Sequence, residues 1–129
     1  MSFELSLKDL PPSLILPGSV SNLFDPLIKE IFLLDTFVAG TSHVKDARVF
    51  ESLKREDALF LCREENEYDA MAILVLDRDH CKLGYVPKKD NLILARLMDD
   101  GKLLKGKVES VEKKGGYWKV EFKIFMMDF

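Results

Sequence analysis

From Ile31 onward the chain alternates between short apolar runs of strand character and polar turns, with one change of period. Ile31–Leu34 and Thr36–Gly40 form an apolar, β-prone run that ends at a glycine, which predicts the first strand. Val49, Phe50 and Leu53 fall at helical spacing within 43–55, where a short helix or turn is expected. Ala58–Arg63 and Met71–Leu76, joined by the polar Glu64–Asp69, read as two strands. A turn at Asp77–His80 leads into Lys82–Val86, a strand closed by Pro87, which cannot donate to a ladder. After Pro87 the period becomes helical: Ile93 with Leu97 and Leu94 with Met98 lie four residues apart. Asp90 is placed to cap the start and Gly101 to stop the end, so a helix is expected over 90–100. Leu103–Val111 and Tyr117–Met127 flank Lys113-Lys114-Gly115-Gly116, a hairpin signal. Within the last strand Trp118, Val120, Phe122, Ile124 and Met126 alternate with Lys119, Glu121 and Lys123, so one face is buried and the other wet.

Six short strands with one inserted α-helix and a second short helix suit a mainly β fold. A small closed or nearly closed barrel removes the edges that an open sheet would expose. Residues 1–30 lack this periodicity and hold four of the five prolines, so they read as an irregular leader; only a helical turn starting at Asp25-Pro26 is expected there. The folded domain is then 31–129.

The length of 129 residues fits one domain, and 47% apolar with 32% charged residues excludes disordered and coiled-coil classes. Two cysteines without C-x-x-C spacing point to a reducing, cytoplasmic setting, and no window reaches the roughly 18 apolar residues of a membrane span. Charge is uneven: residues 1–69 carry 7 Lys and Arg against 13 Asp and Glu, and residues 70–129 carry 12 against 9. The excess of lysines from Lys102 to Lys123 is either a phosphate-binding face or a solvated sheet face that resists edge pairing.

Enzyme signatures are scarce: no phosphate loop, no nucleophile elbow and no H-E-x-x-H occurs, so no catalysis is expected. His43, His80, Cys62 and Cys81 lack paired ligand spacing and read as surface imidazoles and buried strand thiols, with no metal or other cofactor.

The run Arg63-Glu64-Glu65-Asn66-Glu67-Tyr68-Asp69-Ala70-Met71-Ala72-Ile73, followed by Lys82-Leu83-Gly84-Tyr85-Val86-Pro87 and a helix, resembles the HIRAN domain. The resemblance includes the Val38-Ala39-Gly40 ending of the first strand and covers about residues 31–128. It implies an OB-like six-stranded barrel that binds single-stranded DNA by enclosing the 3′ end, without enzymatic activity of its own and with a helicase or nuclease as a fitting partner in DNA processing or repair. Carried over by motif position, Tyr68 would stack on a terminal base, Asp69 would accept a hydrogen bond from the terminal hydroxyl, and Asn66 would shape the pocket. Tyr85 and Lys88 would form the neighbouring wall. Thr41-Ser42-His43 stands where DNA-end-binding members present an arginine and aromatics, so these three would meet the strand next to the pocket. The alternative is a protein-interaction or structural β-barrel that has lost DNA binding; residue types such as Asn66 and Asp69 also cap turns through local bonds.

Overall fold

In a computed structural model, described over residues 29–128, Glu30–Met127 form one compact unit. The elements are β1 (Lys29–Phe37), a single 3-10 turn at Thr41–His43, α1 (Arg48–Glu51), β2 (Ala58–Arg63), β3 (Ile73–Leu76), β4 (Lys82–Tyr85), α2 (Lys88–Asp99), β5 (Leu103–Lys114) and β6 (Tyr117–Asp128). They form one six-stranded sheet in the order β1-β6-β5-β2-β3-β4. The pairs β2–β3, β2–β5, β3–β4 and β5–β6 are antiparallel. The expected mainly β, OB-like architecture is therefore present, with α2 as the inserted helix and α1 as the second short one.

Alternation builds the core. Leu59, Ile73, Val75, Leu83, Val108, Val120, Phe122 and Ile124 point to one side of the sheet and are no more than 1% exposed, as are Phe50 of α1 and Leu94 of α2. Burying each such side chain contributes roughly 1.5 to 3 kcal/mol against leaving it wet. A sheet with one apolar face curls over it, and the curl nearly closes: Ala39 N–H donates to Tyr85 O (2.7 Å) and Tyr85 N–H donates to Ala39 O (2.9 Å), an antiparallel bridge outside the named strands. On the other side Val38 N–H donates to Val120 O (2.9 Å). The segment after β1 thus spans from β6 to β4.

Several expectations are corrected. The first strand begins at Lys29, two residues before Ile31; the remainder of the helical turn expected from Asp25 lies outside the described residues. β3 begins at Ile73 rather than Met71, because side chains already hold the backbone before it: Asp69 Oδ1 accepts from Met71 N–H, and Arg63 donates to Ala70 O and Ala72 O. α2 begins at Lys88, with Pro87 at the N-cap position, and Asp90 does not cap it. Its carboxylate instead accepts from the Thr36 hydroxyl (2.7 Å), tying the helix to β1. The buried face of α2 is Asn91, Leu94 and Ala95, whereas Ile93 is 70% exposed. Cys62 and Cys81 are exposed, not buried, and the field of Asp77, ahead of burial and Asp79, pushes the Cys81 thiol pKa up, away from a reactive thiolate. No helix among the described residues is long and apolar enough to cross a membrane, and among them no group of three or more His, Cys, Asp or Glu is placed to hold a metal ion.

Closure depends on Gly84, whose φ of +154° is strained for any side chain. A Cβ there would strike the Ala39 carbonyl oxygen and come within 2.6 Å of Val38 Cγ1. Gly84→Ala is therefore expected to destabilise the domain by about 2 to 4 kcal/mol, through strain and a displaced seam. Gly116→Ala, with nothing within 4 Å of its added carbon, serves as the control. Urea midpoints that move equally in the two variants would contradict the steric role of Gly84.

Candidate functional site

The seam opens into a cleft of about 300 Å3 formed by Ala39, Gly40, Asn66, Tyr68, Asp69, Ala72, Tyr85, Val86 and Lys88. Five of the residues expected from sequence, namely Asn66, Tyr68, Asp69, Tyr85 and Lys88, meet here, although they come from the β2–β3 loop, the end of β4 and the first turn of α2. Small apolar residues make the floor, and the polar groups stand on its rim.

The β2–β3 loop is built by its own side chains. Asn66 Oδ1 accepts from the N–H groups of Tyr68 (2.9 Å) and Asp69 (2.8 Å), a tight Asx turn that leaves Tyr68 82% exposed. Asp69 uses both oxygens: Oδ1 accepts from Met71 N–H (2.9 Å), and Oδ2 accepts from Nδ2 of the buried Asn91 on α2 (2.9 Å). A carboxylate has about four acceptor sites, so Asp69 is oriented from two directions and still able to accept another hydrogen bond. Local turn-capping and a binding role are thus compatible in the same residues.

Glu64 joins the loop to β4. Its Oε2 accepts from the Tyr85 hydroxyl (2.7 Å) and from Asn66 Nδ2 (2.9 Å), while Lys82 Nζ donates to the Tyr85 oxygen (3.2 Å) and lies 4.6 Å from the centre of its ring. The Tyr85 and Asn66 donors, with a smaller contribution from Lys82, hold the Glu64 carboxyl below its ordinary value of 4.5 against the opposing effect of burial. Arg63 closes the loop from behind. It makes a two-pronged contact to Asp99 (2.9 and 3.2 Å) at the end of α2 and donates to the carbonyls of Ala72 (2.8 Å) and Ala70 (3.0 Å). This contact lowers the Asp99 pKa, with the Arg63 hydrogen bond as its main cause. Arg63 at the end of β2, Glu64 in the loop and Asn91 on α2 gave no sign in the sequence of their partners, 21 to 36 residues away.

Thr41, Ser42 and His43 form the 3-10 turn that follows Gly40, whose φ of 78° reverses the chain. Thr41 is buried, and its hydroxyl donates to Trp118 O (2.6 Å), so it pins the turn rather than facing solvent. Ser42 is exposed and borders a second cleft of about 510 Å3, which shares Ala39 and Gly40 with the first and reaches Tyr117 and Trp118. His43 is exposed and is part of neither lining. The basic stretch is mostly neutralised: Lys105, Lys107, Lys114, Lys119 and Lys123 pair with Glu30, Glu56, Glu112, Glu121 and Asp35 respectively, while Lys113 lies over the Trp118 ring (5.7 Å).

The sequence matches the HIRAN domain family over residues 31–126. The chain belongs to that family. This HIRAN domain is also similar to a crystal structure of a protein from Lactobacillus plantarum, at 30% identity and a TM-score of 0.73, covering 79% of this chain and 99% of that one. The crystal structure of the HIRAN domain of human HLTF aligns at 18% identity and a TM-score of 0.61, covering 77% of this chain and 79% of that one, which supports the shared fold. The NMR structure of the same human domain aligns at 16% identity and 0.52, over the same shares of the two chains. None of the curated protein sequences matches the chain.

The depressed acids set a pH dependence. Because Glu64 and Asp99 have folded pKa values below their ordinary 4.5 and 3.8, their contribution is complete above those values and is lost as pH falls through the lower folded ones. Melting temperature is expected to hold from neutrality to about 4.5 and to drop below it, with a shallower drop in Glu64→Gln. Equal acid slopes in the two proteins would unlink Glu64 from stability.

Proposed function

We propose that this HIRAN domain is a non-enzymatic module that takes the 3′ end of a DNA single strand into the cleft at its seam. Membership in the HIRAN family supports DNA binding in general. The observation that carries the finer reading is an exposed aromatic, Tyr68, beside an oriented acceptor, Asp69, in the lining of an open, mostly apolar cleft.

The chemistry follows from these groups. The Tyr68 face stacks on a terminal base of any identity, and the apolar floor of Ala39, Gly40, Ala72 and Val86 receives the sugar edge. Asp69, as an ionised acceptor, takes a hydrogen bond from a terminal 3′ hydroxyl but repels a terminal phosphate. Lys88 neutralises the adjoining internal phosphate, and the strand leaves over Gly40 and Ser42 toward Tyr117. Tyr85, held by Glu64 and Lys82, is the rigid side wall. With most lysines of the C-terminal hairpin paired to carboxylates, affinity comes chiefly from stacking and end capture, and strand processing belongs to a helicase or nuclease partner in the cytoplasm.

Tyr68 is the cleanest test, since its ring stands in solvent and its loss leaves the loop's hydrogen bonds in place. Tyr68→Ala is expected to weaken binding of a labelled single strand by about 1 to 3 kcal/mol, roughly fivefold to 150-fold, with an unchanged melting temperature. Asp69→Ala should erase the preference for 3′-hydroxyl over 3′-phosphate ends, but it also frees Met71 N–H and Asn91, so its folding must be checked by circular dichroism. If the folded wild type binds neither end at micromolar concentration, the domain is a protein-interaction barrel instead.

A further inference from the structure

The inward stripe of α2 is Asn91, Leu94 and Ala95. Residues three and four apart on the core side of a helix are positions for apolar side chains. Asn91 breaks that pattern, and it is only 4% exposed. A buried amide costs free energy unless it is hydrogen-bonded. The bond it makes, from Nδ2 to Asp69 Oδ2 (2.9 Å), reaches 22 residues back along the chain to the loop at the cleft. An ionised carboxylate only accepts, so this contact also fixes which way the amide is turned. Asn91 is not in the cleft lining, and it meets a bound strand only through Asp69.

The two bonds that hold the Asp69 carboxylate differ in origin. Met71 N–H is two residues further along the same loop, so its bond to Oδ1 moves with the loop. Arg63 anchors the loop through the carbonyls of Ala70 and Ala72 and leaves the carboxylate alone. Among the described residues, Asn91 alone ties the carboxylate itself to an element outside the loop. That element, α2, also brings Lys88 into the cleft, one turn before Asn91. The torsion that turns a carboxylate is broad, so one bond at Oδ1 leaves Oδ2 able to swing. The second bond, at the other oxygen, sets the plane.

We propose that Asn91 is a positioning residue for end recognition: from behind the cleft it holds the Asp69 carboxylate at the angle from which it accepts the hydroxyl of a 3′ end. This role rests on the end-capture reading above and gives it a residue that never touches the strand. An acceptor keeps its productive geometry only while the groups behind it are in place. Loss of Asn91 therefore falls on the bond to the hydroxyl, and not on stacking at Tyr68 or on the phosphate contact at Lys88.

Two full-length proteins and two strands separate this role from a structural one. Wild type and Asn91→Leu are titrated with the same labelled single strand ending in a 3′ hydroxyl or in a 2′,3′-dideoxy sugar, which stacks alike but has no hydroxyl to donate. Wild type is expected to favour the hydroxyl end about tenfold or more, as the loss of one hydrogen bond to a charged acceptor implies. In Asn91→Leu that preference is expected to narrow by about threefold or more, through weaker binding of the hydroxyl strand alone, while circular dichroism shows the native fold. Asn91→Ala, the smaller change, is read in the same way where leucine does not fold. A folded variant whose preference is intact, including one that binds both strands equally less well, reduces Asn91 to a tether of the loop; it overturns the proposal and leaves end capture standing. A wild type that binds the two strands alike, or binds neither, removes end capture itself and this role with it.

Discussion

Two backbone hydrogen bonds between Ala39 and Tyr85 hold the fold in the shape that creates its cleft. Without them the curled sheet would have two separated edges, and the loop after β2 would face a gap rather than a floor. The bridge brings Gly40 beside Tyr85 and Val86, and it lets residues from the segment after β1, from β4 and from α2 share one small space. Gly84 is the condition for that contact, because any side chain there would occupy the place of the Ala39 carbonyl. The apolar core supplies most of the folding free energy, while this seam decides where the surface is concave.

The motif residues around the cleft are chiefly partners of one another. Arg63 holds two carbonyls and the end of α2, Glu64 gathers Tyr85 and Asn66, and Asn66 and Asp69 satisfy the amides of their own loop. A polar network of this kind is worth having only when nearly every member is satisfied, since an unpaired half-buried group costs more than its bond returns. That condition leaves Tyr68 as the one aromatic side chain of the loop, turned outward.

Strands and their burial were legible in the sequence because period-two alternation is a local property. Trp118 to Met126 announced both faces of β6, and Val49 and Phe50 marked α1. The start of α2 was misread because Asp90 has the chemistry of a cap, yet its hydroxyl partner, Thr36, is 54 residues earlier in the chain. Ile93 had the spacing of a core residue, but the helix is rotated so that Asn91, Leu94 and Ala95 face inward, and only tertiary contact with Asp69 explains a buried asparagine. The cleft residues Asn66, Tyr68, Asp69, Tyr85 and Lys88 were found through the motif, not through periodicity. The pairing of Lys105 and Lys123 with Glu30 and Asp35 was invisible because those acids are on β1, far away in the chain, and Thr41 gave no sign that its hydroxyl belongs to Trp118.

Asn66 and Asp69 fix their loop before any ligand arrives, and this changes the thermodynamics of capture. Ordering one backbone residue costs about 1 to 2 kcal/mol, so a mobile loop of a few residues would consume most of what one stacked base returns. Here the backbone is already in place, so in the proposed capture the entropic penalty would fall almost wholly on the incoming strand. A receptor that is rigid in advance can work with a small contact area and few cations; its binding enthalpy then reports contact with the ligand rather than folding of the site.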